Sequence, residues 1–192
     1  MNRKLKLQVQ LSVDGFAAGP NGELDWMTWA WDDELKDYVS HLTDTVDTIL
    51  LGRKMTDGFI SHWTNALANP KSPEFDFAKL MVDYHKVVFT KTLDKSAWAN
   101  TELAKGDLVD EVARIKNRNG KDIIVYGGAT FVSNLISEKL IDEFHLFVNP
   151  AVIGSGMSIF SKLAEKQNLK LIKSKGFDCG ITLINYQKQE VY

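Results

Sequence analysis

Two segments constrain the fold most: Thr48 to Thr56 and Ile123 to Phe131 each run from an apolar stretch through glycine directly into residues at helical spacing. Strands that turn at once into helices, repeated through the middle of a chain, point to an α/β domain with a largely parallel sheet. The rest of the sequence fits that frame. Leu5, Leu7, Val9, Leu11 and Val13 alternate with Lys6, Gln8, Gln10 and Ser12, which sets an apolar row on one face of a first strand. Asp14-Gly15 ends it, and Gly19-Pro20-Asn21-Gly22 marks a loop.

Asp32 and Asp33 stand at the start of a helix in which Leu35, Tyr38, Val39 and Leu42 share a face. Thr48 to Leu51 is a second strand, and Asn65 to Pro73 is a polar connection into a helix over Glu74 to Asp83. Lys86 to Thr90 reads as a third strand. Val109, Val112, Ala113 and Lys116 form a helical face that stops at Asn119-Gly120, and Ile123 to Tyr126 is a fourth strand. After Gly127-Gly128 come a helix carrying Phe131, Val132, Leu135 and Ile136, and then a strand from Phe144 to Val148. Leu169 to Lys173 and Ile181 to Tyr186 flank the turn-prone Gly176 to Gly180 and predict an antiparallel hairpin. A single mixed, mostly parallel sheet with that C-terminal hairpin is expected, in one domain over residues 1–192.

Charge and composition narrow the partners. Lys plus Arg number 23 against 25 Asp plus Glu, a net charge of -2, so there is no electrostatic case for nucleic acid or an anionic membrane, and a small ligand is expected. Apolar runs such as Thr48 to Leu51 fall far short of the roughly 20 residues that span a bilayer. The start, Met1-Asn2-Arg3-Lys4, has neither the apolar core nor the cleavage site of a signal peptide, which makes the cytoplasm the expected location. The lone Cys179 has no thiol partner. His41, His62, His85 and His145 show no metal-binding spacing, and Gly154-Ser155-Gly156 is not a nucleophile elbow. Neither a metal site nor a serine hydrolase is expected.

The chemistry therefore concentrates on the two glycine turns. Glycine permits close backbone approach, and a helix start presents unpaired N–H groups to an anion. At the first turn Arg53 and Lys54 add cations, which disfavour the helix dipole unless an anion is bound. At the second, the N–H groups of Ala129 and Thr130 can face a diphosphate. The chain contains neither G-x-G-x-x-G nor the G-x-x-x-x-G-K-[ST] loop, so an ordinary Rossmann or phosphate-loop fold does not account for them.

Four motifs give the chain its family likeness: Ser12-Val13-Asp14-Gly15; Leu51-Gly52-Arg53-Lys54-Met55-Thr56; Tyr126-Gly127-Gly128-Ala129-Thr130; and Leu140-Ile141-Asp142-Glu143-Phe144 leading to Pro150 and Gly154-Ser155-Gly156. On these it resembles the dihydrofolate-reductase-like superfamily, in particular the reductase domain of bacterial riboflavin biosynthesis. The resemblance implies helices on both faces of the sheet, NADPH laid across the strand ends, and hydride transfer to a small pyrimidine- or pteridine-type heterocycle. The activity it most suggests is that of 5-amino-6-(5-phosphoribosylamino)uracil reductase; dihydrofolate reduction, or dinucleotide binding without turnover, are the alternatives. It also implies a homodimer. Gly52, Arg53, Lys54 and Thr56 are then expected at the cofactor's phosphates, Thr90 and Lys91 near its adenosine phosphate, and Gly127, Gly128, Ala129 and Thr130 at its diphosphate.

For the substrate, Asp32 is the candidate proton-handling carboxylate, on the expectation that an apolar cleft raises its pKa, with helix capping as the competing role. Trp26, clustered with Trp29 and Trp31, and Asp14 are candidate substrate contacts, Asp14 having a turn role as its alternative. Riboflavin-pathway reductases usually carry Asp-Asp-Pro-x-Leu and an arginine for the ribose phosphate after the second strand. Here that stretch reads Asp57-Gly58-Phe59-Ile60-Ser61-His62-Trp63. The substrate loop reads Leu24-Asp25-Trp26 rather than the Leu-Pro-Trp of dihydrofolate reductases.

Overall fold

The computed structural model describes residues 3–189, so the expected single domain over 1–192 extends beyond it at both ends. In chain order the elements are β1 (Leu5–Leu11), α1 (Asp33–Asp44), β2 (Val46–Gly52), α2 (Arg53–Leu67), α3 (Phe75–Asp83), β3 (His85–Phe89) and β4 (Thr101–Ala104). They continue with α4 (Leu108–Lys116), β5 (Asp122–Val125), α5 (Ala129–Ser137), β6 (Glu143–Val148), β7 (Leu169–Gly176) and β8 (Thr182–Lys188). The strands form one 8-stranded sheet in the order β4-β3-β2-β5-β1-β6-β8-β7. Strands β1 to β6 pair in parallel, while β8 runs antiparallel to both β6 and β7. The mostly parallel sheet with a C-terminal antiparallel hairpin is as expected.

Connection handedness distributes the helices. From β1 the chain crosses through α1 towards the β4 edge, whereas α4 and α5 return it towards the β7 edge. Right-handed crossovers in opposite directions must lie on opposite faces. The packing follows: Val112 and Ile115 of α4 and Val132, Leu135 and Ile136 of α5 cover Leu5, Leu7, Val9 and Leu11. On the other face Leu42 of α1 and Met81 of α3 meet Ile49, Leu51, Val88 and Ile124, with Phe59 and Trp63 of α2 packed alongside.

Three features depart from the sequence pattern. The polar side of β1 is not solvated, because β1 lies mid-sheet beneath α1. Lys6, Gln8 and Ser12 are all buried, and Lys6 is paired with Asp122 at 2.9 Å and hydrogen-bonded to Thr45 at 2.8 Å. Helix α2 runs on to Leu67 and so takes in the first residues of the expected polar connection. The short β4 carries too little periodicity to show in the sequence; its pairing with β3 holds it in place.

Candidate cofactor and substrate crevice

β2 and β5 are neighbours, with Leu50 opposite Val125, so the two glycine turns emerge side by side at the carboxyl end of the sheet. Their helices interlock. A Cβ on Gly52 would lie 2.8 Å from Cβ of Phe131 in α5, and one on Gly127 or Gly128 would lie 3.8 Å from Sδ of Met55 in α2. Gly52 thus lets β2 approach α5, and the open space over Gly127-Gly128 is bordered by α2. On each side of β5 stands a strand, β2 or β1, whose chain departs over the opposite face. Such reversals open a crevice at the carboxyl ends of an α/β sheet, the usual ligand position.

The helix starts at this crevice differ from the others. α1 and α4 are capped by the Asp32 and Asp107 side chains and carry acidic residues in their first turns. Neither α2 nor α5 has a side-chain cap or an acid there, and Gly128 caps α5 at φ 79°, a left-handed conformation that favours glycine. The first-turn N–H groups of both helices therefore keep their capacity for an external acceptor. Arg53 sits over the Trp98 ring, 5.5 Å from its centroid, and pairs with Asp57 at 2.8 Å, while Lys54 projects into solvent.

Other cofactor candidates have work within the fold. The Thr56 hydroxyl donates to the Gly52 carbonyl at 3.0 Å. Thr90 Oγ1 accepts from the N–H groups of Thr92 and Leu93 at 3.1 and 3.2 Å, closing the turn after β3. Lys91 Nζ donates to the carbonyls of Lys105 and Gly106 at 2.8 and 2.7 Å. Thr130, by contrast, is exposed in the first turn of α5, next to Ala129, which packs on the core.

Beyond β5, the loops after β1 and β6 clasp one another. Val13 N–H donates to Ala151 O at 2.8 Å, and the Asp14 carboxylate accepts from the N–H groups of Ile153 and Gly154 at 3.2 and 2.7 Å. Gly156 is required here, since a Cβ would fall 2.2 Å from the Ala18 carbonyl oxygen. Asp14 is thus a loop clasp. Asn149, fully buried, accepts from Thr28 N–H at 2.9 Å and donates to Gln10 Oε1 at 2.6 Å, tying the tryptophan loop to the sheet. Within that loop Trp29 and Trp31 stack at 6.2 Å, and Trp31 packs against the core around Leu35 and Phe147. Trp26 is half-buried, its Nε1 donating to Glu23 O at 3.2 Å.

Asp32 requires a correction. Its carboxylate caps α1 by accepting from Leu35 N–H at 2.8 Å, and its other oxygen accepts from Cys179 N–H at 3.0 Å. These backbone donors hold its pKa below the ordinary value, Leu35 first, the reverse of the expected rise. The sequence offered no signal for the roles of Asn149 and Phe131, because both depend on which strands lie side by side. Among the described residues, no group of three or more His, Cys, Asp and Glu is placed to hold a metal.

The glycine turns and the clasped loops bring the motifs at Ser12 to Gly15, Gly52 to Thr56, Gly127 to Thr130 and Gly154 to Gly156 to the carboxyl end of the sheet, while Leu140 to Glu143 lies at its amino end, and residues 3–183 match the model of the RibD C-terminal domain. The chain belongs to that family. It is 32% identical over 189 residues to the uncharacterised protein YyaP of Bacillus subtilis (strain 168), covering 96% of this chain and 94% of that one. Among solved structures it is similar to a candidate riboflavin biosynthesis protein of Shewanella sp. PV-4, with a TM-score of 0.74 and 24% identity over 99% of this chain and 100% of that chain. It is also similar to the diaminohydroxyphosphoribosylaminopyrimidine deaminase/5-amino-6-(5-phosphoribosylamino)uracil reductase of Thermotoga maritima, with a TM-score of 0.69 and 18% identity. That match covers 98% of this chain and 57% of the Thermotoga protein. At these identities the solved structures establish the fold of this RibD C-terminal domain.

Proposed function

We propose that this RibD C-terminal domain is an NADPH-dependent reductase of a small pyrimidine- or pteridine-type heterocycle. The observation that carries the reading is the pair of uncapped, acid-free helix starts, α2 and α5, side by side at the carboxyl end of a parallel sheet. The residues present fit the dinucleotide: Gly127-Gly128 leaves space above the chain, the N–H groups of Ala129 and Thr130 border it, and Arg53 and Lys54 supply charge. Bound there, NADPH supplies a hydride. The chain's own part is to orient the diphosphate and, through the loop anchored by Asn149, to screen the acceptor from water.

One observation favours a second reading, a dinucleotide-binding protein without turnover: Asp32 is committed to two backbone N–H groups and is ionised at neutral pH, so it holds no proton to give. Tryptophan fluorescence titration with NADPH and NADH, followed by NADPH oxidation against a heterocycle panel, separates the readings. Saturable NADPH binding with turnover supports the reductase; binding without turnover of any acceptor supports the second reading. Absence of NADPH binding refutes both.

A further inference from the structure

The crevice is divided by charge along the strand order. At the ends of β3 and β2 stand Lys91, Arg53 and Lys54, of which Arg53 is paired with Asp57 and Lys54 is exposed with no carboxylate partner among the described residues. The segment 126–137, which follows β5, contains no charged residue. The β1 side is acidic: between Leu7 and Leu35 the chain has Asp14, Glu23, Asp25, Asp32, Asp33 and Glu34, and no Lys, Arg or His. Across from it, residues 146–161 after the midpoint of β6 carry no charge at all. Rim cations do reach this side, but Lys36 and Lys175 are engaged by Asp33 and Glu34. The carboxylates of Asp14, Glu23 and Asp32 are satisfied instead by N–H groups, which leave their charge in place. Hydrogen bonds, from Ser12, Asn21 and Leu35 first, keep all three ionised at neutral pH.

We propose that the acceptor bound on the β1 side is a heterocycle that carries no phosphate, and that the only phosphates this crevice takes are those of the dinucleotide on the β2 side. The inference rests on the reductase reading and sharpens it. A phosphate monoester carries close to two negative charges at neutral pH and is held in proteins by arginine forks, lysines or backbone N–H cradles. On the β1 side the stretches 8–34 and 146–161 supply no cation, Lys36 and Lys175 are paired with carboxylates, and the loop N–H groups of Ile153 and Gly154 already have the Asp14 carboxylate. The deaminase/reductase of Thermotoga maritima bears a phosphoribosyl group in the name of its substrate. The charge on the β1 side separates this chain from that chemistry while keeping the dinucleotide half of the fold.

Matched acceptors differing only in phosphate, 5-amino-6-ribosylaminouracil and its 5-phosphate, test the proposal with the full chain and NADPH at low and high ionic strength. The expected result is kcat/KM at least about tenfold higher for the phosphate-free member, with a gap that narrows as salt screens the repulsion. Equal or better turnover of the phosphate ester overturns it. If neither compound is reduced, titration of the NADP⁺-saturated protein with ribose 5-phosphate decides: no saturable binding at millimolar concentration supports the charge division, and saturable binding overturns it. Failure of the reductase reading is seen separately, as NADPH bound but never oxidised.

Discussion

Replacing Gly52 with alanine tests how the two phosphate sites are coupled. Gly52 has φ −76° and ψ 144°, which alanine adopts freely, so the substitution adds only bulk. The new Cβ would meet Phe131 Cβ at 2.8 Å, against an ordinary carbon contact of about 3.5–4.0 Å, so α5 must retreat by roughly 0.7–1.2 Å. Because the blocking atom is a Cβ, trimming Phe131 to leucine brings no relief. Overpacking of this kind costs about 1–3 kcal/mol, and the movement carries the first turn of α5 out of line with that of α2. The expected outcome is a lower urea midpoint together with NADPH affinity reduced about tenfold, or about 1.4 kcal/mol. Two controls isolate the cause. Gly58 lies inside α2 with nothing within 4 Å of its would-be Cβ, so Gly58→Ala is expected to stabilise by about 0.5–1 kcal/mol and leave NADPH binding unchanged. Gly128 has space but a left-handed backbone, so Gly128→Ala is expected to cost about 1–2 kcal/mol through strain. A Gly52→Ala protein with wild-type midpoint and NADPH affinity refutes the reasoning.

Asn149→Ala leaves the half-buried Thr28 N–H and Gln10 side-chain carbonyl without their partner. It is expected to destabilise by about 1–3 kcal/mol and to raise acceptor KM with little change in NADPH affinity; steady-state kinetics beside denaturant titration would show otherwise if NADPH binding fell instead. The neighbouring His145 ring, its Nε2 3.6 Å from the carboxylate, and then the ion pair with Lys4 hold Glu143 at about 2, well below its ordinary 4.5, against the opposing effect of burial. Since the folded value is the lower one, the stabilisation is complete above about 4.5 and is lost as pH falls towards about 2. Glu143→Gln is expected to flatten that acid limb in pH-dependent unfolding; an unchanged limb counts against the assignment. Arg53→Ala and Lys54→Ala are each expected to weaken NADPH several-fold at low salt, with the deficit shrinking in high salt, and salt-independent losses in titration would point to misfolding.

Much of the fold was legible because periodicity and glycine punctuation mark strands and helices locally. The hairpin around Gly176 to Gly180 and the two strand-glycine-helix units are of that kind. What sequence conceals is adjacency. Nothing in the run from Val46 to Tyr126 says that β2 and β5 are neighbours, and without that Gly52 and Phe131 cannot be linked. The polar face of β1 misleads for the same reason, since Lys6 and Gln8 look solvated until α1 is laid over them. Side-chain commitments are equally hidden. Thr56, Thr90 and Lys91 fit a phosphate site by position, yet each already serves the backbone. Asp32 carried capping and catalytic readings at once, and its bonds to the N–H groups of Leu35 and then of Cys179, more than a hundred residues away, shift its pKa downward.

In the proposed reductase, α2 and α5 grip one dinucleotide between their first turns. Amide chemical shifts followed during NADPH titration of the isotopically labelled protein test it most directly. The N–H resonances of Arg53, Lys54 and Met55 and those of Ala129 and Thr130 are expected to move along a single binding isotherm, while those at the aspartate-capped start of α4, Val109 and Asp110, stay in place. Shifts confined to one of the two helix starts, or absent from both at saturating NADPH, contradict it.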